Sequence, residues 1–331
     1  MKNLFRYFFF MLAISAVVFT GCKDDNDPTT TTNPAETLMD YLVEIDMDLN
    51  HVIKNSDGQK FVMGAPADGN VSSKYIIDIR SAEAFNAGHI TNAVNVPDFK
   101  NILTEAAKAD KPILVVCYTG QTACYATSLL RLYGYHDAQA LKWGMSGWNE
   151  ATAGPWDNAI ADISDGHSNW TFNASEPTLG VYDAPAFTST ATEGEAILKE
   201  RIEYIVSQGF KGVEASDVLG SPSGYFINNY FNTTDYSAFG HVDGAYRMNP
   251  LLVSPSSTEE AAVTNLDPSK KVVTYCYTGQ TSAVITAYLR VLGYDAYSLK
   301  FGMNKLSNSS DAWTANQWRG DSNPKNLPLE Q

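Results

Sequence analysis

Apolar and polar positions along the chain alternate between short runs and helical faces, and the whole alternation occurs twice. "YIIDI", from Tyr75, is a β-branched run suited to a buried strand. "SAEAFNAG" follows, with Ser81 placed as a helix N-cap and Gly88 just past the helix end. "AVNVP" is a second strand signal, closed by Pro97, and "PILVVC" is a third and the most apolar. "TACYATSLLRLYGY" has helical spacing, with Leu129, Leu132 and Tyr133 on one side and Gly134 as its stop. "AQALK" reads as one more strand. Strands alternating with helices imply an α/β fold, a mainly parallel sheet flanked by helices on both faces.

The second copy reads "YFINNYFNTTDYSAFGHVDGAYRMNP" and then "KKVVTYCYTGQTSAVITAYLRVLGYDAYSLKFGM". Between the copies the offsets of matching residues change by only a few positions, as loop insertions allow. The pattern therefore predicts two tandem domains. The first spans residues 37–156 and the second 195–310, joined by a polar linker over 157–194 that is rich in Thr and Pro. Residues 311–331 read as a poorly structured tail.

Bulk properties narrow the function classes. The chain has 331 residues, 44% hydrophobic and 18% charged, as expected for folded domains. A formal net charge of −14 argues against nucleic acid and against electrostatic docking to anionic lipid. Lys2 and Arg6 precede the apolar "YFFFMLAISAVVFTG", which reads as a targeting segment over residues 1–22. It ends in "FTGC", which resembles a bacterial lipobox and implies lipidation at Cys22. Residues 23–36, "KDDNDPTTTTNPAE", then form a disordered tether. The expected location is the cell envelope, as an outer-membrane lipoprotein facing the periplasm or the surface and touching the membrane only through its lipid.

Without Cys22 three cysteines remain: Cys117, Cys124 and Cys276. Two of them lead the string "CYTGQT", which occurs at 117–122 and again at 276–281. Three thiols in this pattern do not make a disulfide framework; they read as thiols kept for reactivity. Each repeated cysteine ends an apolar strand, and a helix begins right after the loop. The loop amides and the helix N-terminus then point at one spot, which favours an anion and lowers a thiol pKa toward neutral. Gly120 and Gly279 let the loop curl with positive φ. Thr122 and Thr281 are placed to cap the helix or donate a hydroxyl to a bound anion.

This pattern resembles the rhodanese family of sulfurtransferases. "IIDIRSAEAFNAGHITNAVNVP" is similar to the family's strand–helix–Gly-His-Ile segment, "CYTGQT" to its six-residue active loop, and "LKWGMSGW" and "SLKFGM" to the turn after the last strand. The resemblance implies that Cys117 or Cys276 attacks a sulfane donor and carries its sulfur as a persulfide to a thiol or cyanide. Tyr118, Thr119, Gly120, Gln121 and Thr122, with Tyr277, Thr278, Gly279, Gln280 and Thr281, would form the substrate-binding loops. The donor is a small sulfur compound: thiosulfate, a persulfide or a mercaptopyruvate-like molecule. The implied acceptor is a thiol, free or on a protein. No metal or organic cofactor is called for.

Several positions refine this reading. The sixth residue after each cysteine is Ala123 or Ser282, so neither loop has the arginine with which cysteine phosphatases of similar fold clamp phosphate. The loops are neutral, and Lys142 and Lys300 stand in the neighbouring turn as candidate cations. Asp78 and Arg80 of the first copy become Asn228 and Tyr230 in the second, which favours the first copy if only one works. His89 and His241 are expected to hold turns rather than act as bases, and Cys124 to be a small core residue, with a resolving thiol as the sharper alternative. A carrier that holds persulfide or an anion without turnover is the rival to an enzyme, and a scaffold with relic cysteines a third reading.

Overall fold

The computed structural model of the protein describes residues 33–331. The leader and the candidate lipidation site Cys22 lie outside the described residues, as does most of the tether. The expected tether end at 36 gives way earlier, because helix α1 (Pro34–Glu44) starts there. Asn33 caps it, accepting from the amide of Ala35 at 3.0 Å, and Pro34 supplies a helix-ready φ. Ala35, Leu38, Met39 and Leu42 turn its apolar face inward.

The first domain continues with α2 (Leu49–Ile53), β1 (Val62–Met63), β2 (Tyr75–Asp78), α3 (Ala82–Ala87), β3 (Val94–Asn95) and α4 (Ile102–Ala106). It closes with β4 (Ile113–Val116), α5 (Gln121–Leu132), β5 (Gln139–Leu141), α6 (Gly144–Trp148) and α7 (Gly154–Asp157). A short β6 (Trp170–Thr171) lies in the linker, and α8 (Gly194–Gln208) opens the second half. There follow β7 (Gly212–Val213), α9 (Ala215–Gly220), β8 (Tyr225–Asn229), α10 (Thr233–Phe239), β9 (His241–Val242) and β10 (Tyr246–Arg247). The chain ends through β11 (Leu251–Leu252), β12 (Ala261–Ala262), β13 (Lys271–Tyr275), α11 (Gln280–Leu292), β14 (Ala296–Leu299) and α12 (Met303–Leu306).

Each half builds a five-stranded, wholly parallel sheet, and the two have the same order: β1-β5-β4-β2-β3 and β7-β14-β13-β8-β10. The central strands are the apolar runs. All four positions of β4 are buried, as are the last four of β13. Ser81 caps α3 by accepting from the amide of Ala84 at 3.2 Å, and Gly134 and Gly293 end α5 and α11 with positive φ. The outermost strands β1 and β7 have two residues each, too few to show any period in the sequence.

The halves join along α5 and α11. Eleven of the residues of α5 and twelve of α11 are buried, including Ser128, whose hydroxyl donates to the carbonyl of Val284 at 3.1 Å. Leu129 and Leu130 belong to the same core as Val284, Ile285 and Leu289. A second tie is Asp48, the N-cap of α2. Its carboxylate accepts from its neighbour Leu49 and, across the interface, from the amides of Val253 at 2.9 Å and Ser254 at 3.0 Å.

The end of the chain differs from the expected loose tail. Residues 311–331 have little regular structure, but they are pinned to both domains by hydrogen bonds and buried side chains. Trp148 Nε1 donates to Pro328 O at 2.8 Å, Asn149 Nδ2 to Leu327 O at 2.7 Å, and His89 and Glu330 pair backbone to backbone. Leu327 joins the core of Leu141, Met145 and Trp148, and Trp318 is fully buried. Polar composition marked the segment as tail, whereas four spaced apolar residues, Trp313, Trp318, Leu327 and Leu329, dock it. Leu327→Ala should therefore lower stability by about 2–3 kcal/mol, as for other buried leucines. A urea midpoint unchanged by that substitution would show the tail to be unattached in solution.

Candidate functional site

Each "CYTGQT" string connects a central strand to the long interface helix. The cysteines are the first residues beyond β4 and β13, and both are nearly inaccessible, Cys117 4% exposed and Cys276 1%. Cys117 Sγ accepts from the amide of Gly120 at 3.1 Å and from that of Ala123 at 3.3 Å. Cys276 Sγ accepts from the amide of Ser282 at 3.3 Å and stands 3.6 Å from the Ser282 hydroxyl, which is itself bonded to Ser298 Oγ at 2.8 Å.

The inward amides follow from where the loop carbonyls go. Cys117 O accepts from Met145 N at 2.9 Å, and Tyr118 O from Ser146 N at 3.0 Å and Ser146 Oγ at 2.9 Å. Thr119 O accepts from Trp156 Nε1 at 3.0 Å. In the second copy Cys276 O accepts from Met303 N at 3.0 Å, and Tyr277 O from Asn304 N at 3.2 Å and Asn304 Nδ2 at 2.9 Å. With the carbonyls held from outside, the amides of Gly120 and Ala123 face Cys117 Sγ, and that of Ser282 faces Cys276 Sγ. Gly120 and Gly279 make the turn at φ 85° and 74°. They also occupy the helix N-cap positions, so Thr122 and Thr281 are second helical residues, not caps, and no side chain caps either helix.

Burial changes the expected acidity of the thiol. At Cys117 desolvation pushes the pKa up, against the amides of Ala123, Thr119 and Gly120, which pull it down; Asp78 adds a small upward push. The expectation of a lowered value is thus reversed at Cys117, because a thiol this deep gives up more hydration than the amides return. Cys124, on the next turn of α5, is fully buried, and its thiol is pushed well above the usual range by burial and then by the neighbouring Cys117 and Cys276.

The other predicted residues fall into two groups. Arg80 forks onto Asp78, with Nη2–Oδ2 at 2.7 Å, and its Nη2 also donates to Gly88 O at 2.8 Å, both side chains being buried. The pair braces the β2–α3 junction, where Tyr118 exchanges hydrogen bonds with Ser81. In the second domain the register shifts the expected match by one residue: Asn229, not Asn228, stands where Asp78 does and donates Nδ2 to Tyr275 Oη at 2.8 Å, and Tyr277 donates to Asp235. Tyr230, expected in the place of Arg80, instead matches Ile79, since each donates its amide to the carbonyl of the residue before the cysteine, and Phe231 takes the place of Arg80; burial and then Cys276 raise the Tyr230 hydroxyl pKa. His89 stacks on Phe85 with Nδ1 3.0 Å from Phe85 O, and His241 stacks on Tyr236 with Nδ1 3.3 Å from Tyr236 O. Both hold their turns, and burial lowers the pKa of His241.

The lysines are engaged elsewhere. Lys142 Nζ donates to Asn316 Oδ1 at 2.8 Å in the tail, and burial lowers its pKa. Lys300 pairs with Glu214, just beyond β7. Among the described residues neither lysine bonds to a cysteine loop.

Two features were only partly visible in the sequence, where Trp143 and Phe301 stand out in the matched turns as pocket wall or packing but Trp156 and Trp318 do not. An aromatic group of Trp143, Trp156, Trp318 and Phe301 closes over the loops, drawn from both domains and the tail. Trp156 and Trp318 sat in segments without periodicity. The second feature is the pair Gly144 and Gly302, with φ of 59° and 54°, in the turns that hold the loop carbonyls. The repeated "WGM" and "FGM" was their signal. Among the described residues no three His, Cys, Asp or Glu side chains gather in a way that could hold a metal ion.

Comparison with known proteins fits this geometry. A thiosulfate sulfurtransferase GlpE of Shewanella oneidensis is 39% identical over 83 residues, 24% of this chain and 81% of its own length. The GlpE of Pseudomonas fluorescens is 36% identical over 98 residues, 28% of this chain and 80% of its own. The solved 3-mercaptopyruvate sulfotransferase SseA of Escherichia coli, 16% identical, aligns over 74% of this chain and 99% of its own with a TM-score of 0.26. The model of the rhodanese-like domain matches residues 62–151 and again 231–309, more than half of the chain, and the protein belongs to the rhodanese family as a tandem of two such domains.

Proposed function

We propose that the protein is a sulfurtransferase that carries sulfane sulfur on Cys117, Cys276 or both. The observation that supports this most directly is the amide hydrogen bonding to a cysteine sulfur at the mouth of the interface helix, present in both domains. Thiosulfate or a related donor fits the neutral loops, where N–H groups rather than cations meet the negative charge.

The steps balance without a redox partner. The cysteine thiol gives its proton to solvent, and the thiolate attacks the outer sulfur of thiosulfate. A sulfur–sulfur bond forms to the cysteine, the donor's own breaks, and sulfite leaves with the electron pair. Cyanide or an acceptor thiolate then attacks the outer sulfur of the persulfide, and the electron pair of that bond returns to the cysteine. Two half-reactions of this kind predict ping-pong kinetics. The membrane-anchored location implied by "FTGC" remains part of the proposal, with lipid at Cys22 placing the site in the cell envelope.

Three outcomes are expected. After incubation with thiosulfate, the intact mass of the chain should rise by one or two sulfur atoms, and cyanide should remove them as thiocyanate. Cys117→Ala and Cys276→Ala then assign the atoms to domains. A gain of sulfur that cyanide does not remove would favour a carrier, and no gain with any sulfane donor would end the sulfur-transfer reading.

The raised thiol pKa sets the pH dependence. In the Cys276→Ala protein, the rate of loading should keep climbing as pH passes about 8.5, the ordinary thiol value, because the protonated thiol predominates below it. A plateau reached at neutral pH would contradict the burial effect.

The turn glycines give a domain-specific test. A Cβ on Gly144 would stand 2.4 Å from Cys117 O and 2.6 Å from Gly120 N, and one on Gly302 2.0 Å from Cys276 O. Gly144→Ala should therefore cut loading of Cys117 by about tenfold or more while sparing Cys276, with Gly302→Ala doing the reverse. Equal loss in both domains would point to global unfolding instead.

A further inference from the structure

The packing of α5 against α11 turns the first residue of each helix toward the other domain. Gln121, 4% exposed, accepts at Oε1 from the amide of Phe301 in the second domain at 2.8 Å. The same oxygen lies so close to Gly279 that a Cβ there would come within 2.4 Å of it. Gln280, 3% exposed, mirrors this. Its Cδ is 3.1 Å from where a Cβ of Gly120 would stand. Gly120 supplies one of the amides bonded to Cys117 Sγ.

The two glutamines are not equivalent, since only Gln121 accepts a hydrogen bond from the other domain. Gln121 Nε2 donates to Thr119 Oγ1 at 3.1 Å, within its own loop, so both ends of its amide are engaged. Gln280 Nε2 is buried with no partner. An unpartnered buried donor is destabilising. At this position it lies against the glycine on which the Cys117 cradle turns.

We propose that Gln121 and Gln280 are positioning residues exchanged between the domains, each bracing the cysteine loop of the other, so that the second domain helps set how firmly the first-domain amides hold a negative sulfur at Cys117. This rests on the reading of these loops as sulfur cradles. It adds that the two are not independent: the residue that opens the helix of one site is part of the frame of the other. A chain in which either half worked alone would lose this brace.

The test isolates the effect by silencing the second cysteine. In the full chain carrying Cys276→Ala, Gln280 no longer adjoins a working thiol in its own loop, and any change at Cys117 must cross the interface. Alkylation of Cys117 by iodoacetamide, followed on its own peptide as a function of pH, reads thiolate formation directly. Asp78, Arg80, Tyr118, Cys124 and Lys142, the ionisable groups about this loop, are the same in every variant compared. Gln280→Ala should move the alkylation midpoint up by about half a pH unit or more, a roughly threefold slower reaction below it. Gln280→Glu, which replaces the donor with a carboxylate, should move it further, and Gln280→Asn should fall between parent and Ala.

A midpoint that stays with the parent in these variants would overturn the proposal, even if thermal stability fell, since a merely structural role predicts only the latter. Alkylation needs no sulfur donor, so it reads the brace even if no donor loads either cysteine. Conversely, normal sulfur loading with an unmoved midpoint would remove the brace and leave sulfur transfer standing.

Discussion

The convergence of backbone N–H groups on one sulfur is the constraint from which the rest of the site follows. A peptide loop cannot aim its amides inward unless its carbonyls are satisfied on the outside. Here α6 and α7 supply that outer shell in one domain, through Met145, Ser146 and Trp156, and α12 in the other, through Met303 and Asn304. The turn must approach the loop too closely for any side chain on Gly144 or Gly302. The cradle is therefore a property of two segments, and the loop sequence alone specifies only half of it.

The electrostatics of the site come from dipoles in a dry place, not from charge. Neither loop contains a cation, and Lys142 and Lys300 are occupied at Asn316 and Glu214. Burial raises the cost of a bare thiolate at Cys117 and at the same time strengthens each amide that bonds to it. On the sulfur-transfer reading proposed above, such a site would favour the state in which negative charge spreads over two sulfur atoms over the resting thiolate. That is the preference a carrier of sulfane sulfur needs, since the interaction is strongest where charge is transferred.

Much of the fold was legible because strong runs met clear stops. "YIIDI", "PILVVC" and "VVTYC" are central strands, and Ser81 and Gly134 bound helices for the reasons their chemistry gives, whereas Gly88 ends α3 in an extended conformation open to any residue. The edge strands β1 and β7 and the docked tail were not legible, although the edge strand β3 was, through "AVNVP". A two-residue strand has no period, and a tail held by residues as far apart as Trp318 and Leu327 shows no local pattern. At the site, the cysteines, glycines and the Asp78–Arg80 pair could be read from the repeated string and its order. The thiol acidity could not, because it depends on burial that only the assembled domains create. Nor could the contact of Gln121 with Phe301, which joins residues 180 positions apart in different domains.

The duplication also explains why the cysteine loops face a common interface. In an isolated domain one side of α5 would be wet, yet its residues from Ala123 to Leu132 are buried almost without exception, as are those of α11 from Ser282 to Leu292. A helix apolar on all sides must be covered on all sides. Each domain covers the other's helix, so the helix that presents N–H groups to one sulfur is also the main contact between the halves. A movement of one half against the other therefore displaces the helices that begin at both cysteine loops. Interface and site are one structure, which is why a change in the seating of either domain would be felt at the sulfur before it was felt in the sheet.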